Sequence, residues 1–242
     1  MLIRSNAIPM GVLRLPLLDN LATLQRHPDY QNAKAGSHHA AFRLIADLAA
    51  PKLKTGVGAF PEHAIFASPF ASELTGDNAL PIVLAMFCAK AFGGECDLEI
   101  VQKERVFHTG ADPMERLISR PTFDGAVSAG RDYVLVDDVT NMGNTLAELA
   151  NFIIQGGGNV VGYCVMVDDG RIQTLIPDRK TIRSLEERFG NEIKDIFGIS
   201  VACLTANEAQ YLIGFRSADE IRGRCAKAKE EIHRRRLAKS GH

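Results

Sequence analysis

Residues 133–149 read YVLVDDVTNMGNTLAEL: an apolar run, two adjacent aspartates, a small polar loop around one glycine, then the first turns of an amphipathic helix. Tyr133, Val134, Leu135 and Val136 do not alternate with polar residues, which predicts a central parallel strand buried on both faces. Asp137 and Asp138 then fall at its C-terminal end. From Thr145 onward Leu146, Leu149, Ala150 and Ile153 recur at helical spacing, and the glycines at 156–158 end the run. The loop 140–144 therefore opens a helix. Such a loop turns unpaired backbone N–H groups outward, with the positive end of the helix dipole behind them, and so favours a phosphate. Carboxylates touching that phosphate would repel it. They are better placed to accept hydrogen bonds from hydroxyls carried with the phosphate, as on a ribose, or to hold a hydrated Mg²⁺.

Working outward, the same pattern occurs once before. A short buried strand at 64–67 is followed by a loop at 68–77 and a helix capped by Asn78, with Pro81 tolerated in its first turn. Leu80, Val83, Leu84, Phe87, Cys88 and Ala91 form that helix's apolar face, and Gly93-Gly94 leads to a strand at 97–101. Two strand–helix–strand units, the second with strands at 133–136 and 160–167 around a helix at 145–154, predict an α/β fold. Its sheet is largely parallel and twisted, flanked by helices and built by right-handed crossovers. A helix at 38–53 precedes the first unit, after a proline-punctuated lead-in. Helices at 181–197, 206–214 and 218–237 follow the second, the last two opened by the capping boxes TANE at 205–208 and SADE at 217–220. The chain thus divides into an N-terminal segment (1–60), an α/β core (61–170) and a helical C-terminal extension (171–242).

Between the two units, residues 101–131 form a connection long enough to be a lid or binding loop. It carries Lys103, Arg105, His108, Arg116 and Arg120, a basic set able to fold over a polyanion. The plainer alternative is a solvated surface hairpin. The C-terminal helix is also rich in Arg and Lys, but no aromatic residue is interleaved for base stacking. A solvated helix with a basic tail is expected there, and any nucleic-acid contact would have to use it.

At 242 residues with a net charge of −1, the chain can bury a substantial core, and nothing global points to nucleic acid or an anionic membrane. Five scattered cysteines without a CxxC pair suggest neither a disulfide framework nor a zinc ribbon, and a reducing cytoplasm is expected. The N-terminal apolar stretch is interrupted by Pro9, Arg14 and Pro16, which argues against a signal peptide, and no stretch reaches the length of a membrane span.

Two other families end a strand in paired acids. P-loop NTPases require GxxxxGK[ST] upstream, which is missing, and response-regulator receivers carry the pair near the start of the domain. The full pattern VLVDDVTNMGNT instead resembles the phosphoribosyl pyrophosphate (PRPP) binding motif of type I phosphoribosyltransferases. The similarity extends over residues 64–167, through SPFASELTGDNALPIVLAMFCAKAFG and ERLISRPTFDGAV, and is nearest to the competence-associated amidophosphoribosyltransferase-like proteins, although their zinc-ribbon cysteines are missing.

The resemblance implies a Mg²⁺-dependent transfer of 5-phosphoribosyl from PRPP to a nitrogenous acceptor, with release of pyrophosphate. Asp137 and Asp138 would meet the ribose hydroxyls and, directly or through water, the Mg²⁺ carried by PRPP. Thr140, Asn141, Met142, Gly143, Asn144 and Thr145 would cradle the 5′-phosphate. Ser68, Pro69, Phe70 and Ala71 would bind pyrophosphate, and Lys103, Arg105, Arg116 and Arg120 would neutralise it as it leaves. The acceptor would be met by the N-terminal segment and the C-terminal helices; a homodimer is compatible with this reading. Two residues depart from the family pattern. Asn141 stands where purine-type members carry an acid and cannot act as a base. Met142 replaces a hydroxyl residue, removing one hydrogen bond worth about 1 kcal/mol. These departures keep a non-catalytic PRPP or nucleotide sensor as the alternative. Asp168 and Asp169, at the end of the next strand, read first as turn residues and second as contacts for a base or metal.

Overall fold

The computed structural model describes residues 2–56, 58–70, 78–103 and 112–240, with side chains described up to Arg235. The chain enters the main sheet earlier than its prolines suggest. Leu13–Leu18 form strand β1 on the sheet edge, and Pro16 is tolerated there because an edge strand is bonded on one side only. Helices α1 (Leu21–Gln25), α2 (Tyr30–Lys34) and α3 (His38–Leu48) follow. The helix expected over 38–53 is broken: α3 is capped at Ala49, and α4 (Ala50–Thr55) restarts with Pro51 in its first turn, where a missing N–H costs nothing.

The first unit comprises β2 (Ile65–Ala67), α5 (Leu80–Phe92) and β3 (Glu95–Cys96). Its last strand is earlier and shorter than the 97–101 expected. The Asp97 carboxylate accepts from the N–H groups of Glu99 and Ile100 at 2.9 and 2.8 Å, which turns the chain instead of extending it. The connection between the units holds β4 (Val101–Gln102), α6 (Pro113–Ile118) and β5 (Phe123–Asp124), with β4 and β5 paired antiparallel. The second unit, β6 (Asp132–Thr140), α7 (Asn144–Gln155) and β7 (Asn159–Asp168), matches its expected boundaries closely, except that β6 runs on through both aspartates. Helices α8 (Arg179–Phe197), α9 (Ala206–Leu212) and α10 (Ala218–Ser240) complete the chain.

The five strands lie in the order β1-β7-β6-β2-β3, all parallel. Alternate residues explain the continuous apolar runs. Phe66, Val134, Val136 and Cys164 join one core with α3 and α5, while Ile65, Ala67, Tyr133 and Leu135 join another with α7. From the adjacent strands β2 and β6 the two crossovers depart in opposite directions, which opens a crevice at their C-terminal ends. A third core is built by α6 and the C-terminal helices around Met114, Leu185, Phe189 and Leu212.

Both expected helix starts in the extension are present, one of them altered. Thr205 and Glu208 form a complete capping box. Ser217 accepts from the Glu220 N–H at 3.2 Å, but the Glu220 carboxylate turns to the N–H of Arg216. The basic helix α10 is not merely solvated. Arg224 pairs with Asp112, and Arg235 reaches Glu115 at 2.7 Å, so one of its faces is docked on α6. All five thiols are free, and among the described residues no helix is long and apolar enough to cross a membrane.

Candidate active site

The aspartates lie inside β6, and both are buried. Asp138 Oδ2 accepts from Lys34 Nζ at 2.9 Å and from Asn78 Nδ2 at 3.0 Å, and its Oδ1 accepts from the Val139 N–H at 2.8 Å. Asp137 Oδ1 accepts from the Asp138 N–H at 2.8 Å. These environments separate the two acids. Burial, with the Asp138 charge beside it, holds the Asp137 pKa well above the usual carboxylate range. Burial pushes Asp138 the same way, but the Lys34 ammonium, helped by Asn78 and the Val139 amide, outweighs it and holds Asp138 below that range. Lys34 is in turn raised: burial opposes its charge, and Asp138 more than compensates.

Lys34 was not legible as a site residue. It ends a five-residue helix and reaches an acid 104 positions away, and no local pattern signals that contact. Asn78 was expected only as a cap. Its Oδ1 does accept from the Leu80 N–H at 3.2 Å, while its amide group serves Asp138.

The loop after β6 turns at Gly143, whose φ of 76° is left-handed. A Cβ there would lie 2.4 Å from Leu175 Cδ2, so both backbone and space demand glycine. Asn144 and Thr145 then open α7, whose first-turn N–H groups have no helical partners. Asn144 is buried, and its side-chain amide donates to the Arg116 carbonyl at 3.0 Å, tying α6 to the loop. Asn141 is exposed and its side-chain amide reaches the Asp169 carbonyl at 3.4 Å, while Thr140 is buried and accepts from the Asp169 N–H at 2.8 Å through its carbonyl. The Met142 side chain turns inward. It is only 4% exposed and packs into the core of the C-terminal helices, which explains a thioether where a hydroxyl was expected.

Ser68 follows β2 directly, at the C-terminal end of the strand that pairs with β6. Its Oγ is buried without a hydrogen-bond partner among the described residues, as a hydroxyl awaiting a polar ligand would be. Pro69 and Phe70 are half-buried, and the Phe70 carbonyl accepts from the Gln102 N–H at 2.8 Å. Ala71 and Arg105 lie outside the described residues, as does His108.

The basic set divides. Arg116 is half-buried, its pKa lowered by burial against the opposing charges of Asp169 and Glu115, which places it beside the loop. Lys103 is exposed and pairs with Asp124 at 3.0 Å across the β4–β5 hairpin. Arg120 corrects the expectation of a lid residue. Its guanidinium is buried against Glu148 and donates to the carbonyls of Leu2 and Phe197, so it holds the N-terminus and α8 to α7. Asp168 also has a structural role: Arg14 pairs with it at 3.0 Å, and its other oxygen accepts from the Gly170 N–H at 3.3 Å, as a turn aspartate does.

For a metal, Asp138 is not arranged as an open ligand, because Lys34, Asn78 and the Val139 amide occupy its two oxygens. The pair fits a cation held through water and phosphate oxygens instead. Asp112, Glu115 and Glu231 also converge within 4.8 Å, but Arg224 and Arg235 lie among them, which makes this an ion-pair network between α6 and α10.

Residues 66–203, more than half of the chain, match the family described as the phosphoribosyl transferase domain. Protein TraN of Escherichia coli is 36% identical over 220 residues, covering 88% of this chain and 49% of TraN. An uncharacterized protein of Haemophilus influenzae is 39% identical over 133 residues, covering 53% of this chain and 29% of that protein. The chain thus spans half or less of these relatives' length. Among solved structures, an adenine phosphoribosyltransferase from Leishmania donovani aligns with a TM-score of 0.33 and 14% identity, covering 77% of this chain and 73% of that one. A hypoxanthine phosphoribosyltransferase from Staphylococcus aureus aligns at 0.32 and 12%, covering 55% and 65%.

Proposed function

The chain belongs to the phosphoribosyl transferase domain family, and on that premise we propose that it moves the 5-phosphoribosyl group of PRPP onto a nitrogenous acceptor and releases pyrophosphate. The observation that carries the reading is that the Asp137–Asp138 pair, the Gly143 loop at the start of α7 and the orphan Ser68 hydroxyl all belong to the C-terminal ends of the adjacent strands β6 and β2 or to the loops that follow them. The acids would take the ribose hydroxyls, the loop amides the 5′-phosphate, and residues 68–71 the pyrophosphate. In the transfer the C1′–O bond to pyrophosphate breaks with its electron pair leaving on pyrophosphate, an acceptor nitrogen forms the new C1′–N bond, and that nitrogen gives up its proton. Asn141 cannot take that proton, so the acceptor must lose it to another base or reach the site already deprotonated.

Mg²⁺, when bound with PRPP, would neutralise the pyrophosphate charge. The chain's part is to hold the ribose, with Lys34 keeping Asp138 ionised as a hydrogen-bond acceptor, and to bring Arg116 near the phosphates. The N-terminal segment 1–60 and the C-terminal extension 171–242 are proposed to flank the acceptor, in a reducing cytoplasm and in nucleotide metabolism. A second reading, a PRPP or nucleotide sensor on the same scaffold, is favoured by the amide at Asn141 and by Lys34 already engaging Asp138.

The two readings part in one experiment: pyrophosphate release from PRPP with Mg²⁺ across a panel of nucleobases and simple amines, alongside calorimetric PRPP binding. Acceptor-dependent release, abolished in Asp137→Asn/Asp138→Asn, is the expected result. Binding lost in that variant but no release with any acceptor would favour the sensor. Absence of PRPP binding by the unaltered protein would overturn both.

A further inference from the structure

Thr205 lies beyond the stretch matched to the family and on no strand of the sheet, yet it touches the phosphate loop. Its Oγ1 accepts from the Glu208 N–H at 3.2 Å and donates to the Met142 carbonyl at 2.5 Å. A hydroxyl has one proton, and at 1% exposure no bulk water competes for it, so the bond to Met142 is its single use. Thr205 is itself held. Its N–H donates to Glu208 at 2.8 Å, Arg4 grips Glu208 at 2.7 and 2.9 Å, and Arg4 reaches Glu148 of α7 at 2.8 Å. The loop, α9, Arg4 and α7 thus close a buried ring.

Met142 meets the extension through both side chain and carbonyl, and Gly143 is backed by Leu175 and Thr205. In a planar trans peptide the C=O and the following N–H point in opposite directions. Drawing the Met142 carbonyl toward Thr205 therefore aims the Gly143 N–H away from α9. We propose that Thr205 is a positioning residue for the phosphate loop: through it the C-terminal extension sets the 142–143 peptide in the orientation that a phosphate meets. The inference rests on the PRPP reading for its ligand, but its geometry is independent of that reading.

The test compares Thr205→Val, which keeps the shape and loses the donor, with Thr205→Ser, which restores it. Three quantities are read: calorimetric PRPP affinity with Mg²⁺, hydrogen exchange of the 141–146 amides without ligand, and the thermal midpoint. The expected result is about tenfold weaker PRPP binding and faster loop exchange in Thr205→Val, with both near the unaltered values in Thr205→Ser. Should Thr205→Val not fold, Thr205→Ala, which has no β-branch, is read the same way. A folded variant with a lower midpoint but unchanged affinity and loop exchange would overturn the proposal, leaving Thr205 a helix cap alone. If the unaltered protein binds no PRPP, the transferase reading fails, and the exchange data still decide the positioning role.

Discussion

Asp137 and Asp138 are neighbours in one strand with opposite tendencies. Asp137 is buried beside a negative charge and holds its proton, whereas Asp138 is buried beside Lys34 and gives its proton up. The folded chain therefore keeps a proton on Asp137 through a pH window in which the unfolded chain has lost it. Its contribution to stability falls as pH rises from the ordinary carboxylate pKa through the raised one. Asp138 has the opposite sign, losing its stabilisation on acidification. Asp137→Asn removes that titration, so its thermal midpoint should gain on the unaltered protein over the range in which pH rises above about 4. A gap that stays constant across that range would show that burial does not set the state of Asp137. Lys34, raised above its ordinary value, adds stability that is present at neutral pH and lost as pH climbs past the usual lysine range.

The loop between β6 and α7 packs on one side against the core of the C-terminal helices, and its other side is the one proposed to meet a phosphate. Met142→Thr tests which side the residue serves. Read from the motif, threonine would add a hydrogen bond to the phosphate. Read from the structure, it puts a hydroxyl into the C-terminal core and leaves a gap, at a cost of about 1–3 kcal/mol in denaturant unfolding and with no gain in PRPP affinity. Tighter PRPP binding with unchanged stability would reverse that conclusion.

Across the molecule, the ends of the chain are joined through a buried charge cluster. Arg4 is fully buried between Glu148 and Glu208, and Arg120 also meets Glu148. Burial works against the Arg4 charge, but the two glutamates outweigh it and raise its pKa. Arg4→Met leaves Glu208 buried without its partner and should cost about 3–5 kcal/mol. A loss below about 1 kcal/mol in denaturant unfolding would mean that the cluster is not what joins the extension to the sheet.

The strands at 133–136 and 160–167 and the helix between them were readable because each depends on residues close in sequence: apolar runs and helical spacing. Pro16 hid β1, since a proline rules out a central strand but not an edge, and edge position is a property of the sheet. Arg120 resembled a lid arginine until its burial against Glu148 was apparent. Lys34 on Asp138, Thr205 on the Met142 carbonyl and the direction of the Met142 side chain involve partners up to 104 residues apart. The local code for the strand and loop proposed to bind a phosphate is thus written in a dozen consecutive residues. Which distant groups charge its acids and aim its peptides follows only from how the helices pack, because burial and long-range contact exist only once the chain is folded.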